Sequence, residues 1–277
     1  MNLASQSMLN MFRGKDDVGY SWTNDVWLAH RLKRYLDNGA DIHATQSKET
    51  RYPENRFNEY QVIHYAAHYG LRHVYQVAKN AGADLEAKTS FLNETPFQII
   101  SWRILSNYKL FSSQKNYESL ALKMIEDGVM TDIADSAGYT PLLRTESPIL
   151  TQALINMKVD INACNKDGDN ALHKAVQTYK AFCSASNSSE EHERYLFIQK
   201  QALKKAELLI NAGIDKQQKN KNGETPFDLI KNDYWHDYSN TQMYQLLEEA
   251  NNLSPKKITN TPPRRAVRSR ILDWQRD

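Results

Sequence analysis

The stretch QVIHYAAHYGLRHVYQVAKNAGAD, Gln61 to Asp84, decides how the rest of the chain is read. It divides into a helix, a break at Gly70, a second helix and a stop at Gly82-Ala83-Asp84. Ile63, Ala66 and Ala67 put apolar groups on one side of the first helix. Val74, Val77 and Ala78 do the same for the second, at intervals of three and four residues. Gly70 and Gly82 suit the two helix ends, because glycine enters the left-handed backbone region without steric cost. Two short helices, each apolar on one side, cannot bury those sides alone. The segment predicts one unit of a stack.

Working outward, the unit recurs. Before it, Trp27, Leu28, Leu32 and Leu36 run into Asn38-Gly39-Ala40-Asp41. After it come Asn93-Glu94-Thr95-Pro96-Phe97, Gly138-Tyr139-Thr140-Pro141-Leu142 and Asn222-Gly223-Glu224-Thr225-Pro226. In each of these three a threonine can cap a helix whose first residue is proline. Between the last two, Asp167-Gly168 has the chemistry of a tight turn, and Leu172-His173 with Ala175 follows it.

Ile63-His64-Tyr65-Ala66-Ala67 resembles the Leu-His-x-Ala-Ala signature of the ankyrin repeat, and Gly82-Ala83-Asp84 its closing Gly-Ala-Asp. The distance from Gln61 to Gly82 matches that family's spacing between its Thr-Pro turn and that glycine, within a family period of about 33 residues. The resemblance implies an all-α ankyrin-repeat solenoid of about six helix-turn-helix repeats with short β-hairpin fingers and three loop insertions. Its approximate repeats are 18–44, 58–89, 92–134, 137–164, 167–219 and 222–251, inside a domain spanning 18–253. Residues 1–17 are expected to be a flexible lead-in and 254–277 a basic C-terminal tail. The first and last repeats depart from the pattern, as the ends of a stack do where one side faces water.

The insertions fall at loops. Residues 45–58 lengthen the first finger and carry Tyr52 and Phe57, either as partner contacts or as a tolerated surface excursion. A second lies within 102–116. The third includes 183–193, small, polar and acidic, which is mobile or partly extends the flanking helices. The fourth repeat is shortened instead, with Ser147-Pro148 starting its second helix abruptly.

Composition narrows the class. With 40% hydrophobic and 25% charged residues the chain reads as an ordinary soluble protein. No apolar run reaches the roughly 18 residues of a spanning helix, and the N-terminus lacks the pattern of a Sec-type signal. Cys164 and Cys183 have no metal-like spacing, which favours a reducing compartment. The overall charge is +2, but residues 254–277 carry +5 and leave the body at −3. The tail is a solvated extension, a contact for an acidic protein or phospholipid, or an address read by a secretion receptor. It lacks interleaved aromatics, so nucleic acid is disfavoured as a partner.

Two constellations invite chemistry. His64 and His68 share one helix face with His73 nearby, which suggests a metal, but a zinc site needs further ligands. The resemblance instead implies that His64 and His173 bond turn backbone between adjacent repeats. Cys183 with His192 or His173 suggests a thiol nucleophile and base, yet a serine-rich insert holds catalytic geometry poorly. Cys164 reads as a small buried side chain. No phosphate loop, serine elbow or kinase set is present. No catalytic residue, metal or cofactor is therefore assigned.

The expected activity is non-catalytic protein binding by a monomer. By the resemblance, a concave groove and its fingers present Tyr65, His68, Tyr69, Asn93 and Trp102, joined by Tyr52 and Phe57 from the first insertion; Tyr65 and Trp102 equally suit packing against neighbouring helices. Tyrosine and tryptophan suit such positions because they cover large areas with few rotatable bonds. The chain resembles ankyrin-repeat proteins of intracellular bacteria, which places it in the cytoplasm or, by translocation, in a host cytosol as an effector acting on a host protein. A bacterial immunity or antitoxin-type inhibitor fits the same scaffold. So does a modifying enzyme with its active residues in the insertions.

Overall fold

The computed structural model describes residues 2–13, 25–45, 60–90, 92–106, 111–183, 189–233 and 236–252. These residues form α-helices and turns, with no β-strand among them. The helices come in pairs: α1 (Leu3–Arg13) with α2 (Asp25–Asp37), α3 (Val62–Tyr69) with α4 (Arg72–Asn80), and α5 (Pro96–Ser106) with α6 (Phe111–Glu126). Then follow α7 (Pro141–Arg144) with α8 (Pro148–Asn156), α9 (Ala171–Cys183) with α10 (Ser189–Asn211), and α11 (Pro226–Lys231) with α12 (Gln242–Asn252).

Contacts between pairs set the architecture. From α3 onward each first helix touches the next first helix, giving a row α3, α5, α7, α9, α11. The second helices form another row, from α2 through α4, α6, α8 and α10 to α12. One continuous apolar core lies between the rows. A pair buries its inward side only because its neighbours are present.

Local chemistry starts α7 and α11 where the sequence predicts. Thr140 and Thr225 accept bonds from the Leu143 and Asp228 amides at 3.4 and 3.2 Å, and proline follows each threonine. Ser147 caps α8 in the same way through the Leu150 amide, so the shortened fourth pair begins its second helix abruptly. Gly70 ends α3 with φ of +67°, and a Cβ there would lie 3.0 Å from the Tyr117 ring. Conformation and space both demand glycine at this position.

Three expectations change. Residues 1–17 were expected to be a flexible lead-in, but Leu3–Arg13 is the helix α1, with Ser5, Met8, Leu9 and Phe12 buried along one side. Asn2 caps this helix through the Ser5 amide at 2.8 Å, and the Ser5 hydroxyl accepts the Asp41 amide at 2.8 Å. A serine at a buried periodic position hid the pattern. Where short β-hairpin fingers are expected, the described residues form tight turns. The second insertion lengthens a helix, since α6 begins at Phe111, and the third partly extends its flanking helices, one of its two readings: α9 reaches Cys183 and α10 begins at Ser189. The first insertion and the basic tail lie outside the described residues.

Candidate protein-interaction surface

The turns before the first helices are built alike. Asp135 Oδ1 accepts the amides of Ala137 and Tyr139 at 2.8 and 2.9 Å. Asn165 does the same for Asp167 and Asp169, and Asn220 for Asn222 and Glu224. Each turn then bonds its neighbour. Ser136 donates to the Leu92 carbonyl at 2.9 Å, Lys166 to Ala137 at 3.1 Å and Lys221 to Asp167 at 2.8 Å. The turns thus form a hydrogen-bonded series along one edge of the first-helix row.

A second set of bonds ties helix starts to the following turns. His64 Nε2 lies 2.9 Å from the Ala87 carbonyl and so carries the proton, while Nδ1 accepts the Gln61 amide at 3.1 Å. His173 repeats this with Glu224 and Asn170, at 3.0 and 3.2 Å. Gln98 does it with an amide, accepting from Thr95 at 2.8 Å and donating to Ile133 at 2.9 Å. In α11 the third residue after the cap is Asp228, an acceptor only, which takes the Thr225 amide at 2.9 Å. Burial holds the His64 imidazole at a pKa of about 4 and lowers that of His173. Both ring nitrogens of His64 are committed, leaving no lone pair for a metal.

Beside this frame lies an aromatic cluster. Tyr65 stacks on Phe12 with ring centroids 5.0 Å apart, meets Tyr60 edge-on at 5.4 Å and lies parallel to Tyr69 at 6.5 Å. His68 contacts the Tyr69 ring at 4.7 Å and the Trp102 ring at 6.3 Å. The Arg103 guanidinium sits 5.1 Å from the Trp102 centroid and donates to the His68 carbonyl at 3.2 Å. The helices α1, α3 and α5 together hold Tyr65, His68, Tyr69 and Trp102 in one group.

Their exposure sorts the expected contact residues. Tyr65 and His68 are buried, so neither offers its side chain to a partner; Phe12 and Tyr60 cover the first, Tyr69 and Trp102 flank the second. Tyr69 and Trp102 are half-buried at the edge of the cluster. Asn93 is exposed, with φ of +54° in a turn whose counterparts use glycine, so the turn itself explains an asparagine there. Tyr52 and Phe57 lie outside the described residues.

Farther along the row, a polar group missed by the sequence reading occupies the same side. The Arg144 guanidinium pairs with the buried Asp135, lies 3.8 Å from Glu94 and covers the Tyr139 ring at 4.3 Å. Lys174 Nζ lies 5.6 Å from the centroid of the same ring. Tyr60, Glu94, Tyr139, Asp169 and Glu224 each stand immediately before a helix cap. Aligning the caps would have marked this column.

Nothing in this geometry poises a nucleophile. Burial pushes both cysteine thiols up in pKa, the opposite of what a reactive thiolate needs. Cys183 closes α9 and His173 lies in its first turn, too far along the helix to act as its base. The open cleft of about 330 Å³ between α11 and α12 contains Asp233 and His236, but Lys180 holds the Asp233 carboxylate at 2.6 Å. No family model matches the chain, and no curated protein matches it either. No described helix is long and apolar enough to cross a membrane.

Proposed function

We propose that the chain is an ankyrin-type repeat scaffold that binds a protein partner through the wall made by its first helices and linked turns. The observation that carries this reading is the turn-to-turn bonding by Ser136, Lys166 and Lys221, with the bridges of His64, Gln98 and His173 behind it. A surface tied together in this way is ordered before a partner arrives, so association loses little conformational entropy on this side. Tyr69, Trp102 and Arg103 supply the contact area, with Asn93 at the neighbouring turn. Large rings and an arginine are the side chains that most often dominate binding energy at interfaces. An effector directed at a host protein is the setting we favour.

The test is capture of partners on the immobilised full chain, identified by mass spectrometry and repeated with Tyr69→Ala/Trp102→Ala and with Ile149→Ser. Ile149 lies on α8 in the other row and is 43% exposed, which makes it the control. The reading requires a captured protein whose yield falls about tenfold with the ring variant and holds with the control. Equal capture by all three chains would remove the wall from the account.

A further inference from the structure

Helix α2 opens the second row, so within that row only α4 flanks it. It buries Leu28, Ala29 and Leu32 and leaves Val26, Trp27, His30, Arg31, Lys33, Arg34 and Asp37 exposed on one arc. Val26 is 47% and Trp27 45% exposed, among the highest values for large apolar side chains on the described surface. Arg31 is held by rings: its guanidinium lies 4.9 Å from the Trp27 centroid and 5.8 Å from that of Tyr35, and it donates to the Tyr35 hydroxyl at 2.9 Å.

Several cations on the other helices are paired. Lys79 and Lys123 share Asp127, Lys180 holds Asp233 and Lys204 pairs with Glu207. Among the described residues, Arg31, Lys33 and Arg34 make no such ion pair. Asp25, the acid at the start of α2, is occupied by the His73 and Val74 amides at 2.7 and 3.0 Å and by the His73 ring. Three cations outside any ion pair among the described residues, with Asp37 as the one exposed acid on the arc, therefore share a single helix face with two exposed apolar side chains.

We propose that this face of α2 docks on an anionic phospholipid surface, with Arg31, Lys33 and Arg34 at the lipid phosphates and Trp27 and Val26 at headgroup depth. The charge sign is complementary to such a surface, and basic residues near it contribute additively while screening by salt weakens them. Tryptophan favours the headgroup region, where its ring is half in apolar and half in polar surroundings. The outer face of one helix forms no groove to grip a peptide, whereas a bilayer demands none. The site is separate from the partner-binding wall, since α2 belongs to the other row of helices.

Co-sedimentation of the full chain with phosphatidylcholine vesicles, with and without roughly 30% phosphatidylserine, tests this. Three variants separate the sources of binding: Arg31→Glu/Arg34→Glu, Lys33→Glu/Arg34→Glu, which leaves the Trp27–Arg31 contact intact, and a tail variant with Arg264, Arg265, Arg268 and Arg270 changed to Gln. The expected result is binding only to the anionic vesicles at low salt, abolished near about 0.5 M salt. Each α2 variant should lower it about fivefold or more, while the tail variant retains it. The proposal is overturned by no preference for anionic vesicles, by binding that both α2 variants preserve, or by loss confined to the tail variant. A chain that prefers soluble polyglutamate to anionic vesicles also overturns it, in favour of an acidic protein.

Discussion

Lys205 Nζ lies 3.5 Å from a Glu146 carboxylate oxygen, and the lysine side chain is wholly buried. The two come from α10 and from the turn between α7 and α8, and Thr178 of α9 donates to the same carboxylate at 2.9 Å. Burial pulls the lysine pKa down and the glutamate pKa up, and their mutual attraction offsets this only in part. Glu146 Oε2, Lys205 Nζ and the nearby-numbered Thr151 Oγ1 are all buried without a hydrogen-bond partner. The pair fixes which part of the long α10 faces α8 and α9, at an energetic cost.

Removing one partner should therefore hurt more than removing both. Glu146→Leu alone leaves an uncompensated buried cation and is expected to destabilise by about 3–5 kcal/mol. Glu146→Leu/Lys205→Met should recover most of that loss. Urea unfolding of the two single variants and the double variant measures the coupling directly. Additive effects would show that the two groups do not interact.

His64 makes stability depend on pH. Its folded pKa of about 4 lies below the ordinary histidine value, so the unfolded chain binds more protons between the two. This contribution is complete above about pH 6.5 and falls away as pH drops toward 4, by roughly 3 kcal/mol in all. His173, also lowered by burial, acts in the same direction. Gln98 already performs the same bridge with an amide, so His64→Gln should fold comparably at pH 7 and flatten the decline. Unfolding free energies measured at several pH values from 4 to 7.5 check both statements.

Lys158 holds φ of +59° where the corresponding helix stops use Gly39, Gly82, Gly128 and Gly213. A side chain in that region is strained, and Lys158→Gly should stabilise the protein by about 1 kcal/mol. Asn93→Gly should gain less, because asparagine tolerates the region better. Denaturant midpoints at unchanged m-value decide this. A loss of stability in Lys158→Gly would mean that the lysine side chain makes a compensating contact.

The helix starts were legible because each depends on adjacent residues. Thr140 with Pro141 and Thr225 with Pro226 state a cap and a first turn without reference to the rest of the chain. The role of His64 was legible through the resemblance alone. Helix α1 was not, since Ser5 sits where an apolar residue would complete the period and is buried by bonding Asp41. Packing of Tyr65 was one of two readings open in the sequence; its cover was not legible, because it is Phe12, more than fifty positions earlier. Lys205 reads as a surface residue in any local window. Only the meeting of three helices and a turn makes it internal.

The central claim is that the linked turns and first helices form a wall that exists before any partner binds. Amide hydrogen exchange on the free chain tests it most directly, read at Ser136, Lys166 and Lys221, whose amides bond the neighbouring turn. The account predicts slow exchange at all three, comparable to the interiors of α5 and α9, despite their position in turns. Exchange at the rate of an unstructured chain would contradict it, because the turns would then be ordered, if at all, only by what they bind.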